Sequence, residues 1–212
     1  MLLLCDSDIL LKLAACDLLE EAISMLGATR EDIRILPSFS FMLKKPKSRG
    51  RFCTRYGETA VLRLEKFNDG LAILESERVS IEILAALQGI TDIDEGEIQF
   101  FAAGAVATDA YYFLTGDKRA IRSLATSTEC QPIAEQIAGH IICLEMIIAS
   151  LICSHGFDYV KAHVVPARTC DTALMSAFGS GDLAESKNVI AGLIAYIDEL
   201  RALPINLLAP IP

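Results

Sequence analysis

Two short apolar runs in this chain each end abruptly on an acid. Leu2–Cys5 stops at Asp6-Ser7-Asp8, and residues 110–115 (AYYFLT) stop at Gly116-Asp117. Continuous apolar runs of this length, the second rich in aromatic residues, are expected of strands buried on both faces. Helical spacing begins directly after each one. Ile9, Leu10, Leu13, Leu18, Leu19 and Ile23 follow the first run towards Met25 and a stop at Gly27, and Ala120-Ile121 follow the second. A strand feeding a helix, used more than once, predicts an α/β protein with a parallel sheet. The C-terminal strand ends of such a sheet share one edge, and ligands bind along it.

Between the two runs, Asp94-Glu95-Gly96-Glu97 opens an alanine-rich helix over residues 98–107 that leads into the second strand. Ile33, Arg34, Ile35 and Leu36 form a further candidate strand, and Pro37 starts a short helical piece to residue 43. Helices are expected over residues 59–67 and 81–87, the second with Ile81, Leu84 and Ala85 on one face. From residue 133 to 200 the pattern is helical throughout, with segments over 133–154, 159–164, 172–178 and 183–200. Asp182, after Gly179-Ser180-Gly181, reads as a helix cap. The tail INLLAPIP is extended. A boundary near residues 128–132 would divide an α/β part, residues 1–130, from a helical part, residues 131–212.

Composition narrows the function classes. More than half the chain is hydrophobic and its net charge is −9, which argues against nucleic-acid binding through overall charge. One stretch runs against that sign. Lys44, Lys45, Lys47, Arg49, Arg51 and Arg55, six of the 19 basic residues, fall together, with Phe52 and Tyr56 among them. Pro46 and Gly50 predict a loop here. It reads either as a solvated surface or as a contact for a phosphate backbone. The seven cysteines contain no C-x-x-C pair, as expected for free thiols in the cytoplasm. Leu13-Ala14-Ala15-Cys16 resembles a lipoprotein cleavage box, but no basic residue precedes it, and Asp6 and Asp8 interrupt the apolar run. The apolar stretch over 141–153 contains Glu145 and is too short to span a bilayer, which takes roughly 20 residues. His140 and Cys143, i and i+3 on an apolar helix, are expected to pack in the core.

Asp6, Glu97 and Asp117 occupy comparable topological places, and clustered carboxylates need a cation to stay ionised together. Oxygen ligands of this kind suit Mg²⁺ or Mn²⁺, which can activate water against a phosphodiester. The same residues also fit helix caps. Asp94-x-x-Glu97 is a capping box, Asp117 precedes the helix at Lys118, and Ser7 or Asp8 could cap the first helix, which would leave Asp6 surplus.

The stretch over residues 4–13, with Asp6-Ser7-Asp8 directly after an apolar strand, resembles the opening of PIN-domain ribonucleases. Asp94-Glu95-Gly96-Glu97 is similar to the Asp-x-Gly-Glu variant of that family, and residues 113–119 (FLTGDKR) to its late Thr-x-Asp-Lys/Arg element. The three motifs occur in the family's order over roughly residues 1–127. The resemblance implies a PIN-like twisted parallel sheet with acids gathered around Mg²⁺ or Mn²⁺, and metal-dependent cleavage of RNA by a toxin-like or RNA-processing enzyme. Asp6, Glu97 and Asp117 would be the catalytic metal ligands, supported by Ser7, Asp8, Asp94 and Thr115. The basic stretch would hold RNA. The family's further acid, expected within residues 37–43, is absent: the sequence there is PSFSFML, and only Glu58 or Glu65 could stand in. The alternatives are therefore a PIN-like RNA- or protein-binding module without the chemistry and, from another class, a phosphatase-like hydrolase. The C-terminal helices are expected to cover the sheet, to pair two copies or to take a protein partner, away from any membrane.

Overall fold

The computed structural model describes residues 1–210 and contains a five-stranded, all-parallel sheet flanked by helices. β1 (Leu2–Cys5) leads into α1 (Ser7–Ala15) and α2 (Leu19–Met25), then β2 (Ile33–Ile35). The single helix expected through Met25 is broken because Asp17 turns into the left-handed region, with φ 54°, a conformation that aspartate tolerates better than most residues. Both halves keep the expected apolar face, with Leu10, Leu13, Leu18 and Ile23 buried.

α3 (Pro37–Lys44), α4 (Pro46–Tyr56) and α5 (Glu58–Asn68) follow. The expected basic loop is thus largely a helix. Pro46 occupies the first turn of α4, where its missing N–H costs nothing, and the stop comes at Gly57, whose φ of 89° favours glycine. β3 (Ala72–Ile73) is only two residues long and gave no signal in the sequence. α6 (Ile81–Leu87) turns Leu87 inwards and leaves Ile81 76% exposed, so the face expected for it is rotated. α7 (Glu95–Gly104) leads to β4 (Tyr111–Thr115), α8 (Lys118–Thr126) and α9 (Gln131–Ile137).

The stretch read as wholly helical contains a strand, β5 (Ile141–Cys143), which pairs with β4 beyond the boundary expected near residues 128–132. It passes without a break into α10 (Leu144–His155). Every residue of β5 is buried, and so is the start of α10, so no periodicity marks where one ends and the other begins. α11 (Phe157–Ala167), α12 (Thr172–Ala177) and α13 (Ser186–Arg201) complete the helices. Asp182 lies inside a 3₁₀ turn, Gly181–Leu183, and Glu185 takes the cap position of α13. The extended tail runs beside β5: the Ile141 N–H donates to the Leu207 carbonyl at 2.9 Å, and the Ala209 N–H to Ile141 at 2.8 Å. Ile211 and Pro212 lie outside the described residues.

The sheet order is β3-β2-β1-β4-β5. The chain moves outward from β1 to β3 and then crosses back to place β4 against the free side of β1. Cys5 pairs with Leu114 across that junction. One apolar cluster runs from Leu3 to Ala209, and Ile147, Leu151, Val189, Leu193 and Ile197 are fully buried in it. The apolar faces of the C-terminal helices therefore close onto the chain's own core. Among the described residues no helix is long and apolar enough to cross a membrane.

Two buried ion pairs tie this C-terminal region to the sheet edge. Lys12 Nζ lies 2.5 Å from Asp8 and 2.8 Å from Asp171, and Lys118 Nζ lies 2.6 Å from the fully buried Glu145. Removing one partner strands the other charge, whereas removing both does not. Glu145→Leu should lose about 3 kcal/mol in urea unfolding, and Lys118→Met with Glu145→Leu should recover most of that. Equal losses in the single and double variants would refute the assignment.

Candidate functional site

The point where the strand order reverses lies between β1 and β4, and a crevice opens beyond their C-terminal ends, as expected at such a switch point. An open cavity of about 560 Å³ occupies it. Asp6 enters from the end of β1, Asp117 from the turn after β4, and Asp94 and Glu97 from the start of α7; all four line this cavity. The three acids singled out in the sequence are thus brought together.

They are also caps. Asp6 is the N-cap of α1 and accepts the Asp8 N–H at 3.3 Å, so capping falls to the residue expected to be surplus. Asp94 accepts the N–H groups of Gly96 and Glu97, while Glu97 Oε2 accepts the Asp94 N–H at 2.9 Å, completing the capping box. Asp117 caps α8 through the Arg119 N–H at 2.8 Å. Each carboxylate has more than one lone-pair direction, so a cap can spend part of its oxygen shell on its own helix and still face a cavity.

The electrostatics separate these acids. Glu97, only 3% exposed, has its pKa pushed up to about 8 by burial, with the charges of Asp94, Asp117 and Asp6 adding to it against the pull of the Asp94 N–H. Burial also raises Asp6 to about 7, helped by Asp8 and Asp94. Among the described residues neither has an ion-pair partner: Asp6 takes the Ser7 hydroxyl and the Asp8 N–H, and Glu97 takes a backbone N–H. Asp117 differs. Its burial is overcome by Arg119, which donates to Oδ2 at 2.8 Å and holds the carboxyl below its usual value.

Of the supporting residues, Thr115 is fully buried and its hydroxyl accepts the Asp117 N–H at 3.1 Å, fixing the turn after β4. Ser7 leans on Asp6 at 3.4 Å. Asp8 points to a different set of groups, Lys12, Arg55 at 3.7 Å and the Tyr56 hydroxyl at 2.6 Å. Lys12 is held in its charged form: Asp8 and Asp171 outweigh the burial that opposes it. Gly116 makes room for this network, since a Cβ there would meet Lys12 Nζ at 2.7 Å and Asp8 Oδ2 at 2.8 Å.

The basic stretch divides. Arg55 lines the cavity. Arg49 is paired with Glu65 at 2.7 Å, and Lys44, Lys45, Lys47 and Arg51 are exposed on α3, α4 and their junction. Glu65 is thereby committed to Arg49, and Glu58 is exposed at the start of α5. Met42, near the place expected for the missing acid, lines a second cavity beside Asp6, while Leu43 is buried. Lys12 and Asp171 line the site without having stood out in the sequence, and Lys118, which stood out only as part of the late motif, lines it too. Only the i, i+4 spacing of Asp8 and Lys12 was there to be read; Asp171 arrives through tertiary packing. His140 stands directly before β5 and Cys143 within it, rather than on a helix; Cys143 is buried, while His140 is half-buried with its ring stacked on Tyr111 at 4.3 Å.

Among the described residues no three His, Cys, Asp or Glu side chains are grouped as a ready ligand set. The donor chemistry suits a hard cation of the Mg²⁺ kind, which takes one or two carboxylates and completes its shell with water and substrate oxygens. Asp6 and Glu97 supply such a pair, each with oxygen capacity beyond its cap.

Their titration gives a test of sign. The unfolded chain releases the Glu97 proton near the usual value of about 4.3, while the folded protein keeps it to about 8. Across that window the folded state binds more protons, so stability should fall as pH rises, by at most about 1.4 kcal/mol per pH unit for each such group. Glu97→Gln, which can still accept the Asp94 N–H, should flatten the fall in urea midpoints between about pH 5 and pH 8 in chelator. A midpoint that climbs over this range in the parent protein would contradict the assignment.

Comparison of the chain with protein-family models, curated proteins and solved structures returned no match, so the reading of this site rests on its own residues.

Proposed function

We propose that the protein is a PIN-like, Mg²⁺- or Mn²⁺-dependent endoribonuclease. One observation carries this reading: the buried Glu97 and the half-buried Asp6, carboxyls without cationic partners, face an open cavity at the sheet's switch point together with Asp94 and Asp117. Carboxyls gathered in this way hold their protons tightly, and a divalent cation that displaces those protons would find oxygen ligands already in place. A polyanionic substrate can then approach it only with that cation bound.

Asp6 and Glu97 would hold the cation, with Asp117 as a third ligand, directly or through water, once released from Arg119. The bound cation supplies Lewis acidity toward a phosphoryl oxygen and lowers the pKa of a coordinated water. In hydrolysis the water oxygen forms a new bond to phosphorus, the bond to the leaving ribose oxygen breaks, and the departing alkoxide takes up a proton. Arg55 lies where it can pair with the substrate backbone, and the exposed lysines of α3 and α4 extend that contact away from the cavity. Ser7 and Thr115 keep their strand-end turns in place through the hydrogen bonds to Asp6 and the Asp117 N–H.

A second reading is favoured by Met42. An apolar side chain near the place where the PIN pattern leads one to expect an acid suits a module that binds RNA or protein without cleaving it.

Cleavage of a labelled single-stranded RNA, with Mn²⁺ and with chelator, separates the two. Asp6→Asn and Glu97→Gln should each lower the metal-dependent rate by at least about 100-fold, as expected for ligands of a reacting cation. RNA binding that is metal-independent, unaffected by either substitution and unaccompanied by cleavage would establish the binding module instead. Release of phosphate from small monoesters with RNA left intact would point to a phosphatase.

A further inference from the structure

A second cavity, of about 430 Å³, opens on the other side of Asp6 from the strand-end crevice. Asp6, Ser7 and Asp94 line both cavities, so a ligand held at these residues can extend into each. The chemistry of the two differs sharply. The crevice is rich in charged groups of both signs, whereas among the described residues the second cavity contains no lysine or arginine. Its floor is apolar, formed by Phe39 and Phe100, which are 2% and 1% exposed, with Leu36 and the half-buried Met42 beside them. Asp94 and Glu95, both exposed, and Gln99 supply the polar groups. Gln99 uses its amide N–H on the Glu95 carbonyl at 3.2 Å, which leaves its own carbonyl oxygen as an acceptor.

We infer that this cavity is a subsite for one unpaired nucleobase bearing an exocyclic amine, adenine, cytosine or guanine rather than uracil, next to the phosphodiester bond to be cleaved. The identity of the ligand rests on the phosphodiester chemistry proposed above. An apolar floor suits a planar ring, and 430 Å³ is ample for a purine. A rim of carboxylates and an amide carbonyl accepts N–H donors and repels phosphate, so the backbone stays in the crevice and the base turns into the second cavity. Uracil, with carbonyl groups at both positions flanking its single N–H, meets that rim with fewer donors. The cavity also gives the missing acid a physical meaning: Met42 forms part of the wall of a base pocket, where an acid would have added yet another charge.

The test uses the full chain and two readouts. Binding of adenosine, cytidine and uridine, which carry no phosphate, is followed by NMR titration; cleavage of ApA, CpC and UpU is followed with Mn²⁺. Adenosine and cytidine should bind about 5- to 10-fold more tightly than uridine, and their dinucleotides should show KM lower by a similar factor, as one added hydrogen bond gives. Gln99→Leu should bring the three nucleosides within about twofold of each other, and Met42→Trp should weaken all of them by filling the cavity. Because Gln99 is only half-buried on α7, its variant keeps the test decisive if Met42→Trp fails to fold. RNA cleavage that depends on Asp6, combined with equal or absent nucleoside binding, would overturn the base pocket and leave the ribonuclease reading standing. A nucleoside preference lost in Gln99→Leu, with no cleavage of RNA, would sustain the pocket and overturn the ribonuclease.

Discussion

The hydrogen-bonded pairing of β1 with β4 is the constraint on which the rest of this structure depends. Leu2 to Cys5 match Tyr111 to Leu114 in register, and the Asp6 N–H donates to the Leu114 carbonyl at 3.0 Å just past the last pair. Both strands therefore end at the same height, and the acids that follow them enter one crevice. A slip of one residue would turn every side chain of β1 to the opposite face of the sheet. With Leu3 and Leu4 both buried, the faces are covered and the register is strongly specified.

Around that junction the charges fall into two kinds. Lys12 with Asp8 and Asp171, and Lys118 with Glu145, are matched buried pairs that connect α1 and α8 to the C-terminal helices. Asp6 and Glu97 are unmatched. A protein of net charge −9 that pairs its buried lysines so closely, yet leaves the buried Glu97 and the half-buried Asp6 at a cavity without a cation, has gathered at one location carboxyls that hold their protons unusually tightly. Perturbed carboxylates of this sort are more common at functional sites than elsewhere. Helix capping does not remove the imbalance, because backbone N–H groups contribute partial charges only.

Much of this was legible in the sequence, for identifiable reasons. β1 and β4 were readable because a continuous apolar run met an acid and then a helix. The capping box was readable because Asp94 and Glu97 stand at the right spacing. What escaped notice lacked local punctuation. β5 and α10 form one uninterrupted apolar stretch, and β3 is only two residues long. The basic stretch is a helix rather than a loop because Pro46 stands in the first turn, where a proline starts a helix instead of breaking one. Lys12 and Asp171 meet only through tertiary packing, and no local pattern in either segment announces the other.

The pairing of β1 with β4 also bears on how the molecule assembles. Its two strands lie far apart in the chain, with α1 to α7, β2 and β3 between them. Closing so long a loop is entropically slow, and contacts between distant segments form late as a rule. Asp117 joins Asp6 only when β4 is docked against β1. The acidic crevice thus exists only in the completed sheet, and a chain without that pairing cannot concentrate its carboxyls there. Any cation that binds the finished crevice would favour the complete sheet over its precursors, drawing the last strands into place by mass action.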